Sequence, residues 1–178
     1  MKLKILLEND DNDPAIEWLK RNASTYNAEL WMQDGEIFVN GDVSFRSKVK
    51  LDKFPYKFKQ VTGDFDVSMT GLKSFENFPT VIEDKLILND MDNLTNLEDI
   101  HKHIKEVGVM YINGTVISRN ILGLAMINMD DIFLTNAPSK EMGKAFAIMK
   151  KYLGKGRAGV IEAQSELINA GLDDFAEM

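Results

Sequence analysis

Apolar residues fall into short runs broken by acidic, Asn or Gly positions, and no single period covers the chain. Lys2-Leu3-Lys4-Ile5-Leu6-Leu7 alternates and then runs apolar, which predicts a strand. Asp13 and Pro14 suit an N-cap and first helical residue, because proline's missing N–H would be unpaired there anyway. Ile16, Trp18 and Leu19 then give a helix over 13–23 its apolar side. Leu30-Trp31-Met32, Ile37-Phe38-Val39 and Val43-Ser44-Phe45 are separated by Asp34-Gly35 and Asn40-Gly41. Both dipeptides tolerate positive φ, so residues 28–45 read as an antiparallel meander with two tight turns.

The middle of the chain carries a degenerate repeat. Phe65-Asp66-Val67, Leu86-Ile87-Leu88, Met110-Tyr111-Ile112 and Ile132-Phe133-Leu134 start 21, 24 and 22 positions apart. Each follows an apolar-x-x-apolar element: Leu51/Phe54, Phe75/Phe78, Leu97/Ile100 and Ile121/Leu124. Phe54-Pro55 and Phe78-Pro79 recur at the same place in two copies. One strand, one corner and one return in about 20–29 residues is the spacing of leucine-rich solenoids. The run from Gly63 through Phe65, Val67, Gly71, Leu72 and Phe75 to Phe78-Pro79 resembles the short leucine-rich-like repeats of uncharacterised tailed-bacteriophage proteins. The resemblance spans roughly residues 51–136 and implies no catalytic residues. A repeated corner asparagine is lacking, which favours a short, irregular stack over a full horseshoe.

After Pro138-Ser139 the period changes. Met142, Ala145, Phe146, Met149, Tyr152 and Leu153 share one helix face, and Gly154-Lys155-Gly156 stops the helix. A second helix is expected over 158–170, closed by Gly171, with 172–178 as a frayed last turn. The whole predicts an α+β fold: a short leucine-rich-repeat-like β-solenoid (51–136) between an N-terminal α/β cap (1–50) and a C-terminal helical cap (137–178). Trp18 and Trp31 are expected to seat the first cap on the stack, and a solenoid end needs covering.

With 178 residues and 44% hydrophobic content, the chain is long and apolar enough for a packed core. The absence of cysteine removes disulfides, thiol catalysis and Cys-ligated zinc, and fits a reducing compartment. No secretory leader is expected from MKLKILLENDD and no run reaches the ~18 apolar residues of a membrane span. A cytoplasmic setting follows, the host cytoplasm for a phage protein.

Candidate chemistry is sparse. His101-x-His103 with Glu98, Asp99 and Glu106 nearby has metal-like spacing on an extended segment, but Lys102 and Lys105 oppose a dication, so a solvated surface is expected. The acidic run Glu8, Asp10, Asp11, Asp13, Glu17 lacks the glycine and closing glutamate of a calcium loop. Gly154-x-Gly156-x-x-Gly159 follows a helix instead of a strand, so it reads as a corner, not a dinucleotide loop. Hence no catalytic set, no metal and no cofactor is expected, and the chain reads as non-enzymatic.

Net charge is -7, yet two stretches are basic. Residues 46–59 carry six bases against Asp52, among them Lys48, Lys50 and Lys57; residues 140–157 carry six against Glu141, among them Lys144, Lys150, Lys151 and Arg157. These seven residues form the alternative reading, a nucleic-acid-binding surface, should the fold bring the stretches together. The main reading lies in the repeat strands. With Phe65/Val67, Leu86/Leu88, Met110/Ile112 and Ile132/Leu134 inward, the outward columns are Asp66, Ile87, Tyr111, Phe133 and Ser68, Asn89, Asn113, Thr135. Large apolar residues there predict a protein partner held by Ile87, Asn89, Tyr111, Asn113 and Phe133.

Overall fold

A computed structural model of the protein describes residues 13–45, 51–115, 117 and 119–177. Helix α1 (Pro14–Asn22) begins where proline fits, with the Asp13 carboxylate accepting from Ala15 N–H at 2.8 Å. Strands β1 (Ser24–Gln33) and β2 (Glu36–Ser44) pair antiparallel around Asp34 and Gly35, whose φ values of 53° and 76° suit the tight turn. The second expected turn is absent. β2 runs straight through Asn40-Gly41, and Gly41 serves close approach: a Cβ there would lie 2.8 Å from the Ala28 Cα. The meander is therefore a single hairpin.

β2 is also the first strand of a parallel stack. β3 (Phe58–Val61) and β4 (Phe65–Asp66) lie beside it, followed by β5 (Val81–Asn89), β6 (Glu106–Asn113) and β7 (Asn128–Thr135). The parallel strands stack in chain order, which makes a short β-solenoid flanked by the N-terminal helix and hairpin and by C-terminal helices. The ladder pairs Phe65 with Leu86, Leu86 with Met110, and Met110 with Ile132, the expected register. Phe65, Val67, Leu86, Leu88, Met110, Ile112 and Ile132 are all buried. Leu134 is half-buried.

Three of the four apolar-x-x-apolar elements are single turns, the exception being Leu51/Phe54. Phe78 N–H donates to Phe75, Ile100 to Leu97 and Leu124 to Ile121. Each coil turns through a left-handed residue just after its strand: Met69, Asp90, Gly114 and Asn136, at the same intervals as the strands. A second left-handed corner recurs at Asn77, Asp99 and Asn120 in the returns. The corner is thus repeated as a conformation, met by Asn, Asp, Gly and even Met, although no one residue type fills it in every coil.

Between Ile82 and Lys85 the β5 strand carries an extra residue against β6. Gly108 lies opposite this bulge, and a Cβ on it would meet the carbonyl oxygens of Glu83 and Asp84 at 2.5 Å. Gly108→Ala should therefore cost about 1–3 kcal/mol. Urea unfolding checks this, and an unchanged midpoint would show that the bulge relaxes freely.

An aromatic cluster fills the N-terminal end of the core. Phe54 sits 4.8 Å from Phe45, 5.2 Å from Phe78 and 5.4 Å from Phe58 by ring centroids. Trp18 closes it at 5.8 Å from Phe45. Trp31 does not join this contact. It stacks on Phe38 at 5.4 Å, and Phe38 alternates with buried Ile37 and Val39, so the pair lies on the outward face.

At the other end, α3 (Lys140–Met149) starts at Ser139, whose hydroxyl accepts from Met142 N–H at 3.0 Å. α4 (Gly156–Asn169) follows a turn in which Gly154 and Gly156 hold φ of 68° and 62°. The last segment is not frayed. Leu172, Phe175 and Ala176 are buried, because Gly171 (φ 70°) turns the chain back against the helices.

Candidate functional site on the outward sheet face

The outward face is built by alternation in β5, β6 and β7. Ile87 lies beside Tyr111 and Tyr111 beside Phe133 in the ladder; Asn89 lies beside Asn113 and Asn113 beside Thr135. The parallel register places both columns straight across the strands, so the five sequence-expected residues converge. Tyr111 and Phe133 stack at 5.1 Å with 17° between ring planes. Ile87 and Tyr111 are half-buried, while Phe133 is 40% exposed. Asp66 begins the column differently: it is buried, and its carboxylate accepts from Ser68 N–H at 2.9 Å.

Polar groups frame this row. Asn113 Oδ1 accepts from Asn136 Nδ2 at 2.8 Å. Asn89 N–H donates to Ser68 Oγ at 3.3 Å, while its Oδ1 is buried and takes no hydrogen bond among the described residues. Lys85 bonds both oxygens of Asp64 at 3.0 and 3.2 Å, which raises its pKa above the ordinary lysine value. At the far end Lys150 reaches over the Phe133 ring, 4.7 Å from its centre, and pairs with Asp131 at 2.9 Å. That hydrogen bond holds the Asp131 carboxyl below its usual range. A shallow cavity of about 250 Å³ opens between Lys85, Ile87, Asn89, Tyr111, Asn113 and Thr135.

The basic residues are not gathered. Lys48 and Lys50 lie outside the described residues. Lys57 precedes β3 and pairs with Glu36; Lys59 also approaches Glu36, and Lys53 pairs with Glu76 at 2.9 Å. Lys144, Lys150, Lys151 and Arg157 belong to the other end of the sheet, past β5, β6 and β7, three strand spacings of about 4.8 Å away. Lys150 is committed to Asp131 and Lys151 to Glu166.

The histidines sit on a one-turn helix, α2 (Ile100–His103), not on an extended segment. Among the described residues, no three His, Asp or Glu side chains are grouped as a metal site. His101 Nδ1 is buried with no hydrogen-bond partner among the described residues and faces Gly123, where an added Cβ would come within 3.0 Å. Burial, helped by Lys105, Lys102 and His103 and opposed by Asp99, lowers its pKa below 6.5. The folded protein then favours neutral His101, and the unfolded chain takes the proton first as pH falls. This contribution to stability is full above about pH 6.5 and declines as pH drops through that value, levelling off below the folded pKa. The urea midpoint of His101→Gln should fall less between pH 7.5 and 5.5 than that of the parent. Identical falls would remove His101 as the cause.

No family model, curated protein or solved structure matches the chain. No helix among the described residues is long and apolar enough to cross a membrane.

Proposed function

We propose that the protein is a non-enzymatic interaction module, a short leucine-rich-repeat-like scaffold of phage type that binds and modulates a host or phage protein in the host cytoplasm. One observation carries this reading: Ile87, Tyr111 and Phe133 occupy adjacent outward positions of a sheet, with Phe133 40% exposed. A solvated face alternates to polar residues there, and a contiguous apolar row on it marks a contact surface. The aromatic pair forms the anchor, and Asn89, Asn113 and Thr135 form the polar rim. The nucleic-acid reading, through Lys48, Lys50, Lys57, Lys144, Lys150, Lys151 and Arg157, has weaker support, since three of these are already paired with carboxylates.

The test separates binding from folding. Tyr111→Ala should weaken capture of the partner by roughly thirtyfold or more. It should cost only about 0.5–1.5 kcal/mol of stability from the lost ring pair, beyond the area it uncovers. Leu88→Ala, at a fully buried position, should cost about 2–5 kcal/mol. Affinity capture from infected-cell lysate compares the variants, and urea unfolding reads their stability. Equal destabilisation by both would make Tyr111 a core residue. Binding that collapses with added salt and needs nucleic acid would favour the alternative.

A further inference from the structure

On the return side of the coils, α2, the 3-10 turn at Leu122–Met126 and α4 border two cavities that share His101. The larger, about 460 Å³, is lined by His101, Met126, Arg157, Val160 and Ile161. The other, about 300 Å³, is mixed in lining, with Glu98, Asp99, Lys102 and Asn120 as well as Leu97 around the same imidazole. Mostly apolar clefts of roughly 300–1,000 Å³ with a few convergent polar groups are the usual form of small-molecule sites.

Four observations define what fits. The exposed Arg157 side chain makes no ion pair or hydrogen bond among the described residues, while nearby Lys150 and Lys151 are both paired. A guanidinium beside an apolar wall is suited to a carboxylate, because its planar fork matches two oxygens. Met126, Val160 and Ile161 supply that wall, and Ile161 stands 68% exposed on α4. Glu98 lines the adjoining cavity, while Asp99 there is offset by Lys102 at 2.6 Å. The remaining negative charge opposes ligands with two or more charges. His101, held neutral by burial, adds no second cation at neutral pH.

We propose that this cleft binds a small amphipathic monoanion, a carboxylate on an apolar chain, with the carboxylate on Arg157 and the chain along Met126, Val160 and Ile161. The site is separate from the outward sheet face and does not depend on its role.

Decanoate below its micelle concentration is the probe, with decanol and decylammonium as matched controls. Calorimetry and methionine-methyl NMR on the full chain give the readout. Decanoate should saturate one site, shift Met126, and bind at least about tenfold more tightly than decylammonium. Arg157→Gln should weaken decanoate about tenfold and leave decanol unchanged. Ile161→Asp, at an exposed position where folding is not at stake, should weaken both, whereas Tyr111→Ala should weaken neither. The proposal is overturned by decanoate that fails to saturate, by equal binding of decylammonium, by indifference to Arg157→Gln, or by saturation that leaves Met126 unmoved.

Discussion

Replacing Phe54 by alanine should destabilise the protein by about 3–5 kcal/mol, a large share of the ~5–15 kcal/mol that holds a typical domain folded. Phe54 is fully buried and touches the rings of Trp18, Phe45, Phe58, Phe65 and Phe78. Those rings come from α1, the end of β2, β3, β4 and the following return, so one side chain joins the N-terminal cap to the first coils. Truncation removes the buried ring and leaves a cavity that five rigid aromatic neighbours cannot close. In a chain of this size each kcal/mol shifts the melting temperature by about 2–4 °C, so a fall of about 6–20 °C is expected. A loss under about 1.5 kcal/mol would mean that the cluster repacks and that the cap is held mainly elsewhere.

The parts of this fold that were legible in the sequence share a physical reason. The second halves of β5, β6 and β7 place two core residues around one outward residue, and that alternation fixed the register correctly. The first halves were not legible. At Ile82-Glu83-Asp84-Lys85 a bulge puts two consecutive acidic residues between core positions, which destroys the period of two. β3 was missed for a similar reason, since Phe58 and Val61 are both buried yet three positions apart. Asn40-Gly41 misled because one dipeptide serves two needs: positive φ in a turn, or close backbone approach in a straight strand. The corners hid because several residue types meet one backbone requirement.

The candidate sites divide in the same way. The outward row is a local property of three strands, so sequence alone could place Ile87, Tyr111 and Phe133 together. The cleft at His101, Met126 and Arg157 arises only when α4 docks on the turn at Leu122–Met126, where Gly159 lies beside Ala125. Nothing in the spacing of those residues announces it. The two basic stretches show the converse, since charge counted along a chain says nothing of the carboxylates the fold places beside it.

Deleting residues 139–178 should abolish the soluble monomer. Met142, Phe146 and Met149 of α3, Val160 and Leu167 of α4, and Leu172 and Phe175 of the tail are all buried. They belong to the same core as Leu122, Leu124, Ile127 and Ile132 of the last coil. At about 1.5–3 kcal/mol for each buried side chain, seven such residues represent free energy comparable to a domain's whole stability. Their removal would uncover the last coil's apolar surface beside β7, the edge strand of the sheet, and take away the Lys150 that pairs with Asp131 there. An open parallel edge next to apolar surface templates association. Truncated protein should therefore elute as oligomers or pellet, and Phe146→Ala in the full chain should reproduce part of the effect by lowering stability about 3–5 kcal/mol. If the truncated chain ran as a monomer and melted cooperatively, the stack would close its own end, and α3 and α4 would be an appendage free for another use.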